Sequence, residues 1–195
     1  MYEQNYVNKL MAISNKPFKT FLQPVNPYRI GLNRRIKGNC LEVGCGIGRN
    51  LGYLANPDNL GIDINEHAVA KCRALGHQAI TTETFELTRE KLPKFDNLLF
   101  SHVLEHMDRA TSIKLIQSFL PALSEFGAVC IICPQERGFT SDLAHHVEFK
   151  NFENLASEIE ECGLVVDRSF SFPLPRIFGK MFIYNEFVVI AKRKS

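Results

Sequence analysis

Glycines at every second position, Gly44, Gly46 and Gly48, follow the apolar run Cys40-Leu41-Glu42-Val43. After them Asn50-Leu51-Gly52-Tyr53-Leu54 begins a helical pattern, read as a helix running to about Ala55. Strand, glycine turn and helix in succession open a βαβ unit of the nucleotide-binding type. There the backbone turns sharply, some φ values are positive, and a ligand lies against bare main chain. One acid, Glu42, precedes the turn, and a second, Asp63, ends the next apolar run, Leu60-Gly61-Ile62-Asp63. A carboxylate at the carboxyl end of such a strand can accept both hydroxyls of a ribose. A dinucleotide fingerprint, G-x-G-x-x-G, needs its third glycine at position 49, where this chain has Arg49.

A second constellation is Ser101-His102-Val103-Leu104-Glu105-His106-Met107, with His145-His146 further on. It contains H-x-x-E-H, the inverted zinc-protease signature. That signature needs a long helix, whereas Phe95 to Ser101 reads as a strand ending immediately before it. The loops after the fourth and fifth strands are expected to be neighbours, which brings the two histidine groups together. Three roles are open to them. They can be loop packing; one, His106 or His146 first, can act as a general base; or Glu105, His106 and His146 can hold a divalent metal that lowers the pKa of an acceptor hydroxyl. The base ranks above the metal.

The acidic-x-Gly-x-Gly-x-Gly pattern at Glu42–Gly48, with Asp63 after the second strand, resembles motif I of the class I S-adenosylmethionine-dependent methyltransferases. The resemblance runs from roughly Tyr28 to the C-terminus. It implies a Rossmann-like α/β fold: a doubly wound, mostly parallel sheet of about seven strands with an antiparallel C-terminal strand, in three αβα layers. It implies S-adenosyl-L-methionine as cofactor and S-adenosyl-L-homocysteine as product. The cofactor contacts it implies are Gly44, Cys45, Gly46 and Gly48 in the turn and Glu42 for the methionine part. Asp63 and Ile64 would meet the ribose side, Glu83, Thr84 and Phe85 the adenine, and Ser101 and His102 the segment after the fourth strand. Tyr28 and Arg29 would reach the methionine carboxylate. Phe85 is equally readable as a core aromatic. The family's similar H-V-L-E-H lies next to the transferred methyl, which makes His102, His106 and His146 the catalytic candidates. The histidine spacing is also similar to the metal site of small-RNA terminal ribose methyltransferases, which pair E-x-x-E-H with a distant His. Here His102 stands in place of the first Glu.

These residues need elements to position them. Tyr2, Tyr6, Leu10 and Phe18 suggest amphipathic helix before Pro24 and Pro27, an N-terminal cap over residues 1–37 that covers the site. The core, 38–195, completes a single domain. Its strands are read at 40–43, 60–63, 77–81, 95–101, 127–133, from Leu164 and at 183–191, with Thr82-Glu83-Thr84-Phe85 as a loop. Asn65 and Asn151 are helix caps, and Gly76 and Gly163 helix stops. The last two strands have no helix-sized connection and are read as an antiparallel pair.

At 195 residues, with 45% hydrophobic content and 15 Phe, the chain can bury a real core. A net charge of +2 supplies no basic stripe, so the partner expected is a small-molecule acceptor and not nucleic acid. No run is apolar enough to span a bilayer, and the start lacks the pattern of a signal peptide, so the cytoplasm is the expected compartment. Cys130 and Cys133 form a C-x-x-C inside a strand pattern with no second pair, which fits buried reduced thiols better than zinc or redox chemistry. Two rivals are a cofactor-binding protein without turnover and an NAD-type oxidoreductase. Oligomeric state is left open by the sequence.

Overall fold

The computed structural model describes residues 26–194. The proposed N-terminal cap lies outside them except for its last part. Seven strands, numbered in chain order, are found among the described residues. The chain divides into two compact units, 1–93 and 94–195.

In the first unit, helix α1 (Pro27–Arg35) starts at Asn26, whose side chain accepts from the Tyr28 N–H, with Pro27 at a position where no N–H is needed. Strands β1 (Cys40–Val43), β2 (Leu60–Asp63) and β3 (Ala79–Thr81) are parallel, with Leu41 opposite Leu60 and Asp63 opposite Thr81. β1 is buried along its whole length, as a parallel strand covered on both faces must be. Helix α2 (Glu66–Ala74) is capped by the Asn65 side chain, which accepts from the N–H groups of His67 and Ala68. Two expectations fail here. The segment after the glycine turn is a chain of turns, with isolated Gly52 N→Gly48 O and Leu54 N→Asn50 O bonds in place of a helix. Its glycines and Pro57 leave too few consecutive bonds to offset nucleation. Conversely, the stretch read as a loop at Thr82 is helix α3 (Thr82–Thr88), because Thr81 supplies an N-cap to the Thr84 N–H.

In the second unit, β4 (Phe95–Ser101) runs parallel to β5 (Leu123–Pro134), with Ser101 opposite Ile132. β7 (Glu186–Arg193) is antiparallel to both β5 and β6 (Leu164–Phe172). Helix α4 (Arg109–Phe119) follows β4, and α6 (Phe152–Glu161) precedes β6. Between β5 and α6 lies a short helix, α5 (Glu136–Thr140), in the stretch read only as polar. The end of that stretch is fixed by Lys150, fully buried, which donates to Glu158 at 2.8 Å and pairs with Glu148 at 3.2 Å. Removing one partner of such a pair strands the other charge and costs about 3–5 kcal/mol. All six cysteines are free and buried, so Cys130 and Cys133 are core thiols on β5.

Candidate functional site

The glycine turn is built on the end of β2. Backbone N–H groups of Gly44 and Cys45 donate to the Ile62 carbonyl, and the Gly46 N–H donates to Asp63 Oδ2 at 2.7 Å. Gly44, Gly46 and Gly48 have φ of 75°, 54° and 82°, which side chains with a Cβ rarely adopt. At Gly48 a Cβ would also sit 2.5 Å from the Cys72 sulfur, so the turn packs down on α2. Asp63 Oδ1 accepts from the Asn65 N–H at 2.9 Å. The aspartate therefore ties the turn to the start of α2 while each oxygen keeps further acceptor capacity.

Glu42 is buried at 2% exposure just before the turn. Its Oε1 accepts from Asn50 at 2.7 Å and its Oε2 has no partner. Burial pushes its pKa up to about 7, against the pull of Asn50 and Arg49. A half-paired buried carboxylate is a fit for a cationic donor such as an α-ammonium. Directly after Asp63, Ile64 is a large apolar side chain left 86% exposed. Glu83 is exposed and Thr84 half-buried in the first turn of α3, while Phe85 is buried in the core. Of the two readings of Phe85, the packing one describes its place. Tyr28 is half-buried on α1, and Arg29 lines a basic cleft of about 390 Å³ with Asn33, Arg34, Lys37 and Tyr53.

In the second unit the histidine motif leaves β4 at half-buried Ser101. His102 adopts φ 57°, an unfavourable backbone for a residue with a Cβ, held by its N–H to the Ile132 carbonyl. The strain aims its ring between two carboxylates, with Nδ1 3.2 Å from Glu105 Oε1 and Nε2 2.9 Å from Glu186 Oε1. Burial opposes a charged ring, but the bonds and charges of Glu105 and Glu186 outweigh it and raise the His102 pKa to about 10. Both ring nitrogens of His102 thus face carboxylate oxygens, an arrangement that favours the doubly protonated ring. Glu105 shows the counterpart: burial works against its charge, and His102 more than compensates, so its pKa is lowered. Its Oε2 is buried and unpartnered.

Leu104 to His106 form a single 3-10 turn, not the long helix a zinc protease requires. The N–H groups of Val147 and Glu148 donate to the Glu105 carbonyl, joining the loops after β4 and β5 as expected. His106 Nδ1 lies 2.9 Å from the His145 carbonyl, and His146 Nδ1 lies 2.7 Å from the Phe139 carbonyl. A carbonyl only accepts, so each Nδ1 carries a proton, and Nε2 is the nitrogen left with a lone pair in the tautomer this bonding selects. The two rings are 5.1 Å apart, and His146 stacks on Phe139 at 5.0 Å. Ligand-type atoms of Glu105, His106 and His146 all fall within 4.8 Å of one another. His145 points elsewhere, paired with Asp142 at 2.7 Å. Glu186 and Asn50 are the partners the sequence did not announce: Glu186 lies 84 residues from His102, with no motif around it.

Residues 41–129 match the family model described as "Methyltransferase domain". The matched segment runs from β1 into β5 and carries both the glycine turn and the histidine motif. No curated protein matches the sequence. Among solved structures, the chain is similar to magnesium protoporphyrin IX methyltransferase from Synechocystis PCC 6803, solved with bound S-adenosylhomocysteine. The identity is 13% and the TM-score 0.67, over 99% of this chain and 96% of that one. A S-adenosylmethionine-dependent methyltransferase from Archaeoglobus fulgidus shows 19% identity and a TM-score of 0.62, over 90% and 93% of the two chains. Mitomycin 7-O-methyltransferase shows 18% identity and a TM-score of 0.63 over 87% of this chain, which spans only 54% of that protein's length. At these identities the likeness shows the fold: the mostly parallel, doubly wound sheet with its antiparallel strand near the C-terminus.

Proposed function

We propose that the chain moves the methyl group to an oxygen or nitrogen nucleophile of a small-molecule acceptor, with His106 or His146 accepting its proton. The observation that carries this is the shared tautomer of the two rings, each with Nδ1 bonded to a carbonyl and Nε2 left as a base. The cofactor, when bound, supplies a methyl group on a sulfonium, displaced in line by the acceptor. The chain's part is to orient the acceptor, exclude water and take the proton. On the cofactor side, Asp63 would hold the ribose hydroxyls, Glu42 the ammonium, Glu83 the adenine amine, and Gly44 to Gly48 the bare main chain. The magnesium protoporphyrin and mitomycin relatives act on small molecules by their names, which supports the acceptor class. The test is methyl transfer from labelled cofactor to a panel of phenols, amines and carboxylic acids. Transfer to none of them, with labelling of RNA in its place, would overturn the small-molecule reading.

One observation favours a second reading of the same cluster. Glu105, His106 and His146 offer one oxygen and two nitrogens at mutual distances that suit a divalent metal, and both imidazoles have the backbone-bonded Nδ1 typical of metal ligands. A metal held there would lower the acceptor's pKa. Chelation separates the readings: activity that survives EDTA supports the direct base, and activity lost to EDTA and restored by Mn²⁺ or Zn²⁺ supports the metal.

The Glu42 assignment gives a pH dependence. Glu42 has a pKa raised from 4.5 to about 7 in the cofactor-free protein, so it is largely protonated at pH 6 and must ionise to meet an ammonium. Affinity for S-adenosylhomocysteine therefore rises with pH through 7 and levels off above it, by up to about tenfold between pH 6 and pH 7.5. Calorimetry across that window checks it. The slope should vanish in Glu42→Gln, and a pH-independent affinity in the wild type would remove Glu42 from the ammonium site.

A further inference from the structure

Beyond the catalytic cluster, the second unit carries large apolar side chains turned outward on two segments. Between β6 and β7, Ile177, Met181 and Tyr184 are exposed by 79%, 77% and 56%. In the loop after α5, Leu143 and Val147 are exposed by 61% and 64%, either side of His145-His146. Isolated exposed apolar residues are ordinary, but large ones grouped on two segments beside a catalytic cluster point to a binding surface.

Both segments are fastened to α5. Asn185, fully buried, donates to Gln135 Oε1 at 2.9 Å and to the Pro175 carbonyl at 3.3 Å, and accepts from the Leu174 N–H at 2.9 Å. Gln135, also fully buried, donates to Ser171 and to the Glu186 carbonyl. Arg176 is paired with Glu136 and lies 4.9 Å from the Phe187 ring centre, so its charge is taken up within the unit. A Cβ on Gly138 would approach the Ile183 carbonyl to 2.7 Å, so α5 and the 174–185 segment touch at main-chain distance. The next residue, Phe139, stacks on His146. The apolar segment thus meets α5 one residue before the phenylalanine that stacks on His146, and Glu186, just after it, bonds His102.

We infer that Leu143, Val147, Ile177, Met181 and Tyr184 bind the apolar body of the methyl acceptor, and that the acceptor is an amphipathic molecule presenting one ionisable O–H or N–H from a hydrophobic frame. The inference rests on the proposed acceptor site at His106 and His146 and deepens it. Apolar walls around a few directed polar groups are the common make-up of small-ligand sites. The paired state of Arg176 argues against a strongly anionic acceptor body at this surface.

The experiment uses the full chain saturated with S-adenosylhomocysteine and the 4-n-alkylphenols from methyl to hexyl, with binding read by calorimetry. Because it reads binding and not turnover, it fails independently of the base assignment. Affinity should rise about fourfold per methylene over the first few members, the factor for burying one CH₂. Ile177→Ser combined with Met181→Ser, both on exposed side chains, should flatten that series and leave S-adenosylhomocysteine affinity unchanged. A series already flat in the wild type overturns the inference. So does a series equally steep in the double variant, which places the apolar subsite elsewhere. A wild type that is dimeric by sedimentation velocity, with the double variant monomeric, also overturns it, because a second copy then covers the surface.

Discussion

Asp63→Ala is expected to bind S-adenosylhomocysteine at least tenfold more weakly than the wild type. Two losses add. The carboxylate that would accept the ribose hydroxyls goes, and hydrogen bonds to a charged group are worth about 1.5–3 kcal/mol each. The turn itself also loosens, since Asp63 accepts from the N–H groups of both Gly46 and Asn65. Calorimetry gives the affinity and thermal denaturation the second loss. Asp63→Asn separates them: an amide keeps an acceptor for one of the two N–H groups but loses the charge. It should fall between wild type and Ala in affinity and lie closer to wild type in melting temperature. Wild-type affinity in Asp63→Ala would return the residue to a turn-holding role alone.

The second large effect is on turnover. His106→Ala and His146→Ala are each expected to leave cofactor affinity intact, since neither is assigned to it. The variant that removes the base should lose about 10²–10⁴ in kcat, the range for a positioned general base. The other variant should lose less, because its ring only packs beside the first at 5.1 Å. If the cluster works through a metal, both variants lose turnover comparably and both lose bound metal. His102→Ala acts differently. It strands Glu105 and Glu186 without their shared partner, so it should lower stability and disturb the cluster without removing a base. Full turnover in both His106→Ala and His146→Ala would assign these rings to loop packing.

Much of this protein is written in its local sequence. Strand β4 runs over the very residues, Phe95 to Ser101, read from the sequence, because Leu98-Leu99-Phe100 supplies the apolar run that the buried middle of a parallel strand needs. The caps Asn65 and Asn151 are where short polar side chains can satisfy the first N–H groups of a helix. The glycine spacing is legible because a turn with three positive φ values leaves few alternatives to glycine. The misread segments are those where local signals compete. After Gly48 the helical pattern loses to glycines and Pro57, and at Thr82 a capping threonine at 81 wins over the turn-like composition.

What the sequence could not decide is the protonation and the pairing of side chains far apart in it. His102, His106 and His146 are the same residue type, yet their roles part on their neighbours alone. Two carboxylates, one of them 84 residues away on β7, face both ring nitrogens of His102 and favour its charged form. Main-chain carbonyls of His145 and Phe139 hold the Nδ1 side of His106 and His146. A titratable group takes its charge from burial and from what lies within hydrogen-bonding distance. Those distances exist only once β4, β5 and β7 are laid side by side. The sequence therefore determined the glycine turn and the resemblance it carries, and the packing of the second unit decided what each histidine is bonded to.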